Sequence, residues 1–382
     1  MKVLHVVALV TPDGAYGGVE RVCVNLCSAL RDKGHDAVIA AGFNGFDEAP
    51  ADVGGVPAHL FPARRVMPGF GYAATRAPAL GRWLNENAPK FDIAHLHLSR
   101  DLVTLPAADS LRRMGIPFVV QTHGMVAPRT HPLAPLIDRL WTVRLLRSAA
   151  AVLYLTEVER RDLCTVAGSG LRLRQLPNGV PTPAVTAAGE RSADLPEVLF
   201  FARLHERKRP DVFAQAALSL LKSGVRAQFA IVGPAEGAEV GVDTVIHRAR
   251  VEGFGEDSIR REPAVPPDLA NERMARACAY VLPAAREPFP MTVLEALALG
   301  VPVIICPDCG LADFVRTHEC GLVVDGSPQS VTQAISVLLS DPSRARDMGE
   351  RGQSAVQSGF SIGSVGRELE KLYSQILERG SE

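Results

Sequence analysis

The sequence predicts an α/β protein made of two doubly wound, parallel-sheet (Rossmann-like) domains. Three observations carry that expectation. Short β-branched and apolar runs alternate with amphipathic helical patterns along most of the chain, as in parallel sheets wrapped by helices. The alternation lapses once, in a small, polar stretch at 184–195, and then restarts. Glycine-rich or charged loops follow several strands, at the edge where such sheets bind ligands. With 382 residues, each half is long enough to bury its own core.

Composition narrows the function classes. Hydrophobic content of 47% with 22% charged residues is ordinary for a globular protein. Aromatics at 5% and a net charge of −1 argue against a base-stacking or broadly basic surface, so no nucleic-acid partner is expected. No apolar run reaches the length of a membrane span. The opening MKVLHVVALV lacks a small-residue cleavage site after it and reads as a first core strand. Seven scattered cysteines fit a reduced, cytoplasmic protein. Cys306, Cys309, His318 and Cys320 have zinc-ligand chemistry. Cys306 ends an apolar strand and Cys320 precedes another, so buried thiols are expected there and no metal.

In chain order, the first domain (1–183) carries candidate strands at Lys2–Val7, Asp36–Ala41, Asp92–Leu98, Pro117–Thr122, Ala150–Leu155 and Arg172–Leu176. After the first comes Asp13-Gly-Ala-Tyr-Gly-Gly-Val-Glu-Arg, opening a helix that ends near Leu30. Gly17 and Gly18 there let backbone N–H groups approach a diphosphate, or simply make a tight turn. Residues 42–90, rich in proline and glycine, read as variable loops; Arg64, Arg65 and Arg76 in them suit an anionic acceptor or plain solvation. Gln121-Thr122-His123-Gly124 sits at a strand's ligand edge, where His123 can donate to a sugar hydroxyl or face developing charge. His95 and His97 share one strand face and read as structural; His131 is ambiguous. The helix Leu133–Ser148, amphipathic with arginines and Trp141, packs on the core or makes peripheral contact with the inner membrane surface.

The second domain (196–360) restarts with the strand Glu197–Phe201, which runs into Ala202-Arg-Leu-His-Glu-Arg-Lys-Arg-Pro210. Arg203 and Lys208 are two cations that could stabilise a leaving pyrophosphate, while Arg207 reads as solvated. Further strands follow at Gln228–Val232, at an apolar run ending near Pro283, at Val301–Cys306 and at Gly321–Val324. Between the last two of these lies no Asp-x-Asp, nor does one occur elsewhere, so no metal–diphosphate clamp is expected. The stretch 281–306, VLPAAREPFPMTVLEALALGVPVIIC, reads as strand, loop, helix and strand. A helix start above a parallel sheet's edge suits a phosphate, and the N–H groups of Phe289, Met291 and Thr292 could serve it. Glu287 and Glu295 beside a phosphate would be repelled by it; they suit sugar and ribose hydroxyls. Together they point to a sugar nucleotide.

Glu-x7-Glu within EPFPMTVLEALALGVPV resembles the signature of retaining glycosyltransferases of family 4, which have the GT-B fold of two such domains facing a cleft. The resemblance implies that Glu287 contacts the transferred sugar and Glu295 holds the ribose. It also implies that Gly17 and Gly18 face the donor phosphates, that His123 lies against the donor sugar, and that Arg203 and Lys208 bind the diphosphate. The family's usual Glu-Gly-Phe-Gly is Glu-Pro-Phe-Pro here, which removes one backbone donor near the sugar or β-phosphate. Pro177-Asn-Gly resembles the turn that closes the family's first domain, and the helix in 361–382 is expected to cross back to that domain. The implied activity is transfer of a hexosyl unit from a UDP- or GDP-type sugar nucleotide to a carbohydrate, glycolipid or small-molecule acceptor, in surface polysaccharide or glycolipid synthesis. No cofactor is expected. The alternatives are a GT-B nucleotide-sugar 2-epimerase and an inactive sugar-nucleotide-binding protein.

Overall fold

The computed structural model describes residues 1–12, 17–67, 71–128, 134–183, 195–266 and 269–380. The chain forms two compact units, Met1–Pro181 with Ile362–Glu382, and Thr182–Ser361. Most of the 184–195 stretch read as a linker, residue His131, and the first half of the glycine loop lie outside the described residues.

The first unit is built on an eight-stranded sheet. Its order is Leu173–Gln175, Ala151–Tyr154, Phe118–Gln121, Ile93–His97, Lys2–Val10, Asp36–Phe43, Val56–Pro62 and Asp52–Val53. All pairings are parallel except that of the last two strands, a short antiparallel hairpin. The central strands are buried on both faces, which is why they read as unbroken apolar runs. The stretch 42–90 differs from the loops expected. It contributes the strand Val56–Pro62 and the helix Pro78–Asn87. Two prolines concealed that strand, and its place near the sheet's edge is where proline is tolerated.

The C-terminal helix Ile362–Gly380 belongs to this unit and packs on the helix Gly17–Arg31. It buries Val365, Leu369 and Tyr373, one turn apart. Two glycines permit the fit. A Cβ on Gly366 would lie 2.8 Å from Ala29 Cβ, and one on Gly179 would lie 2.8 Å from Ile362 Cα. Glu370 accepts from Lys33 at 2.7 Å and pairs with His35 at 2.9 Å.

Beneath these helices lies a layer of histidines. Parallel register sets His5 beside His95, and His97 falls on the same face. All three are buried. His95 and His97 stack with ring centroids 4.7 Å apart, and His95 Nδ1 meets the Tyr373 hydroxyl at 2.6 Å. Burial, reinforced by neighbouring imidazoles, holds both His95 and His97 well below the usual histidine range.

The second unit carries a six-stranded, all-parallel sheet ordered Ile259–Glu262, Gln228–Val232, Glu197–Phe201, Ala279–Leu282, Val303–Ile305 and Gly321–Val323. The strand Ile259–Glu262 was not anticipated, because Arg260, Arg261 and Glu262 hide it. Their charges are used: Arg273 donates to Glu197 at 2.7 Å and to Glu262 at 2.8 Å, and Arg260 bonds both acids as well. Cys306, Cys309 and Cys320 are buried, and burial pushes their thiols up to about 11, about 12 and about 11.

The buried histidines predict a pH dependence. A histidine whose folded pKa is depressed stays neutral while the unfolded chain takes up a proton. Its contribution is therefore complete above about pH 6.5 and declines as pH falls toward the folded value. Buried Asp101 and Glu159, raised by desolvation, act in the opposite sense, so a variant must isolate the term. His97→Gln should flatten the fall in stability between about pH 6.5 and 5 by up to one proton, about 1.4 kcal/mol per pH unit. Trp83 and Trp141, the two tryptophans, both lie in the first unit, so urea unfolding followed by their fluorescence measures it. Equal slopes in the variant and the parent would refute the assignment.

Candidate active site

In the second unit, three segments converge at the C-terminal edge of the sheet. The strand Glu197–Phe201 runs into Ala202–His205, a 3-10 turn at Glu206–Lys208, and Arg209 in the left-handed region at φ 56°. Gly233 (φ 149°) allows this loop to press on its neighbour, since any Cβ there would lie 2.0 Å from the Ala202 carbonyl oxygen. The third segment follows the strand Ala279–Leu282 and enters the helix Met291–Ala298 at Pro290.

Lys208 Nζ donates to Glu287 Oε2 at 2.5 Å, and both side chains are mostly buried. The loop bearing Glu287 is pinned from several sides. Ala285 N–H donates to the Arg207 carbonyl, Gly310 N–H to the Glu287 carbonyl, and Arg286 N–H to Asp308 at 2.6 Å. Arg286 itself is left-handed, at φ 49°, an uncommon conformation for a residue with a side chain. Phe289 turns its ring inward, edge-on to Phe360 at 6.0 Å, and so anchors the loop on the core.

The proline at 290 takes an extended conformation and caps the helix without harming it. Met291 and Thr292 occupy the first turn, whose N–H groups have no intrahelical acceptor. The Thr292 hydroxyl is shared with the Tyr280 hydroxyl at 2.7 Å, which also donates to the Phe201 carbonyl. Tyr280 is a residue that sequence reasoning missed. Burial, opposed by the Thr292 hydrogen bond and then aided by the charges of Glu295 and Glu287, raises its phenol above the ordinary value. The charges of both glutamates thus bear on one buried hydroxyl. The available signal was a lone tyrosine inside an apolar strand.

Arg203 is placed differently from Lys208. Its Nη1 donates to Glu236 Oε1 at 2.6 Å, and the side chain is 43% exposed. The two cations therefore belong to separate ion pairs, and a diphosphate gripped by Arg203 would replace Glu236. Arg207, read as solvated, is exposed but reaches 3.9 Å from Glu287. It is part of this electrostatic neighbourhood.

In the first unit, Gly17 and Gly18 open the helix Gly17–Arg31. His123 follows the strand Phe118–Gln121 in the left-handed region, φ 51°. A buried carboxylate unforeseen from sequence holds it there: Glu159 accepts from the Thr122 hydroxyl, Gly124 N–H and Leu155 N–H, each at 2.6 Å. His123 Nε2 meets His97 Nδ1 at 2.8 Å with the rings stacked. Burial lowers His123 to about 3, so it is a neutral imidazole at physiological pH. His97, read as structural, thus orients the residue at the ligand edge.

Residues 16–183 match the sequence model of Glycosyltransferase Family 4, and 186–355 match that of Glycosyl transferases group 1. A D-inositol 3-phosphate glycosyltransferase of Acidothermus cellulolyticus is 30% identical over 67% of this chain and 61% of its own length. One from Thermobispora bispora is 28% identical over 76% and 72%. Anabaena Alr3699/HepE, solved with UDP and glucose, superposes with a TM-score of 0.76 at 17% identity, covering 98% of this chain and 99% of that one. Sucrose-phosphate synthase of Thermosynechococcus elongatus gives 0.76 at 18% identity, over 99% and 100%. At these identities the two structures establish the GT-B fold. The two matched segments account for nearly all of the chain, and it belongs to the family 4 (group 1) glycosyltransferases.

Proposed function

We propose that the protein moves a hexosyl unit from a nucleoside-diphosphate sugar to an acceptor hydroxyl, with retention of anomeric configuration. The observation that carries this reading is the buried Lys208–Glu287 pair beside the helix that bears Glu295. Glu295 accepts from a ribose hydroxyl and Glu287 from a hydroxyl of the transferred sugar. Lys208 and Arg203 face the diphosphate, and Gly17, Gly18 and the N–H groups of Phe289, Met291 and Thr292 serve its oxygens. The glycosidic C1–O bond breaks, the electron pair stays on the β-phosphate, and the acceptor oxygen bonds C1 on the same face. The acceptor's proton passes to the leaving phosphate oxygen. No side-chain base is required, and His123, neutral, contributes a hydrogen bond to the sugar. A uridine donor is favoured by the likeness to a protein solved with UDP and glucose.

The acceptor is anionic in this reading. Arg64 and Arg76 face each other across a small antiparallel ribbon, with exposed Arg65 adjacent. Like charges directly opposite are unfavourable, which suits a site that takes up an anion. The curated relatives are named for a phosphorylated acceptor, inositol 3-phosphate.

Peripheral membrane contact is part of the proposal, and the surface supports it. Leu136, Leu140 and Trp141 are 53%, 61% and 41% exposed, interleaved with exposed Arg139, Arg144 and Arg147. Apolar tips among arginines fit an anionic lipid surface. Replacing Leu140 by Asp and Trp141 by Ala together should weaken sedimentation with phosphatidylglycerol vesicles by about tenfold or more. Unchanged sedimentation, or none with the parent protein, would remove the membrane from the proposal.

Two mutational tests address the site. Glu295→Ala should weaken calorimetric binding of the free nucleoside diphosphate by about 1.5–3 kcal/mol, the worth of a charged hydrogen bond. Glu287→Gln should chiefly lower turnover. Nucleotide binding equal to that of the parent in both variants would show that Glu295 does not hold the ribose.

Negative charge grows on the β-phosphate as the glycosidic bond breaks, so fixed cations help the transition state more than the ground state. Arg203→Ala and Lys208→Ala should each lower steady-state turnover by about 10²–10³-fold, with smaller losses of donor affinity. Arg203→Lys should remain impaired, since a point charge does not replace a planar fork. Because Lys208→Ala also strands the Glu287 carboxylate, thermal melting must accompany the kinetics. Exposed Arg226→Ala is the control, as Arg207 lies too near Glu287. An equal loss in Arg226→Ala would mean that the effect is not specific to Arg203 and Lys208.

A further inference from the structure

The histidine layer of the first unit meets two cysteines. The helix Gly17–Arg31 passes over the sheet face that carries His5 and His97, and it presents Cys23 and Cys27 one turn apart on its inner side. His5, Cys23 and Cys27 are fully buried and His97 is 1% exposed. One ligand atom from each of His5, Cys23 and His97 lies within 4.8 Å of the other two, and this is the one such trio of histidine, cysteine or acidic groups among the described residues. His5 Nδ1 and His97 Nε2 are 3.2 Å apart. Two nitrogens bound tetrahedrally to one zinc ion at about 2.0–2.1 Å are separated by roughly that distance. Cys27, one turn further along the helix, does not lie within 4.8 Å of all three.

Hydrogen bonding inside the protein leaves this cluster incomplete. His97 uses Nε2 toward His5 and Nδ1 toward His123. His5 has one nitrogen engaged, while its Nε2, sealed from water, has no hydrogen-bond partner among the described residues. The contact between His5 Nδ1 and His97 Nε2 pairs two neutral imidazole nitrogens, and coordination there would give both a stronger partner than each other.

We propose that His5, Cys23 and His97 form a buried binding site for a divalent metal of zinc's preference, with Cys27 standing one turn away outside the ligand set. The donor set is two neutral imidazoles and one sulfur, a nitrogen and sulfur combination that suits zinc or cobalt. On binding, the Cys23 thiol releases its proton to solvent and becomes a thiolate. The ion would tie the helix Gly17–Arg31 to two central strands. It would also fix His97 as a ligand through Nε2 with Nδ1–H directed at His123 Nε2, the arrangement that metal-bound histidines commonly adopt with their second nitrogen. His97 is then a positioning residue for His123. The cluster Cys306, Cys309, His318 and Cys320, judged from sequence, forms no such group among the described residues.

The test uses the full chain, without an affinity tag that binds metal. The protein is refolded with zinc, or with cobalt as the probe, dialysed against metal-free buffer, and its metal content measured by plasma mass spectrometry. About one ion per chain is expected, with a thiolate-to-cobalt charge-transfer band in the cobalt form. Cys23→Ser should abolish that band, and Cys27→Ser should leave both the ion and the band in place. A variant with serine at 306, 309 and 320 should keep both the ion and the band. Retention of far less than one ion per chain by the parent protein overturns the proposal, and this measurement does not depend on any variant folding. A band that survives Cys23→Ser, or is lost in the 306/309/320 variant, overturns it as well.

Discussion

Lys208 and Glu287 hold the ligand edge of the second unit together. They stand on loops that follow different strands, and both are mostly shielded from water. A buried carboxylate needs a charged partner or several donors, and removing one partner of such a pair commonly costs about 3–5 kcal/mol. The contact therefore fixes the spacing of the two loops, and with it the direction in which the helix Met291–Ala298 begins. Neighbouring contacts depend on that placement, including the Gly310 N–H bond to the Glu287 carbonyl and the Phe289 ring on Phe360. The proposed donor site needs the same lysine twice, first as a counter-charge for Glu287 and then for the diphosphate.

The first unit solves a similar problem with a different residue. Glu159 accepts three hydrogen bonds from the segments after two adjacent strands, and so holds His123 in a left-handed turn. Three donors let a buried carboxylate persist where no cation is paired with it. From His123 a line of imidazoles runs inward through His97 to His5, beneath the helix that carries Cys23 and Cys27. Ligand edge and core are thus connected by aligned polar rings, in a region where apolar packing would have been the simpler outcome.

The departures from the usual loop pattern have a local physical account. Proline at 288 and 290 removes two donors ahead of the helix, yet helix starts have spare donors and an extended residue before the first turn is ordinary. The remaining N–H groups of the first turn carry whatever phosphate contact this edge makes. Rigidity comes instead from Arg286, held left-handed by Asp308 on its N–H.

Alternation of strands and helices determined the two doubly wound sheets, because a strand buried on both faces can only be a run of apolar residues. Glu-x7-Glu, the Arg203–Lys208 loop and His123 were likewise legible, since each follows a strand at the edge where side chains meet ligands. Strands toward the sheet margins were not: Val56–Pro62 is masked by prolines and Ile259–Glu262 by charges that turn out to be paired with Glu197 and Arg273. Nor could spacing reveal that Arg203 pairs with Glu236 while Lys208 pairs with Glu287, or that the Tyr280 hydroxyl meets that of Thr292. His5, Cys23 and His97 are far apart in sequence and meet only through the parallel register of two strands and the helix laid across them. Local pattern specifies which elements form, because it reflects burial of one residue at a time. Pairing between distant side chains depends on how those elements stack, and that only the tertiary structure decided.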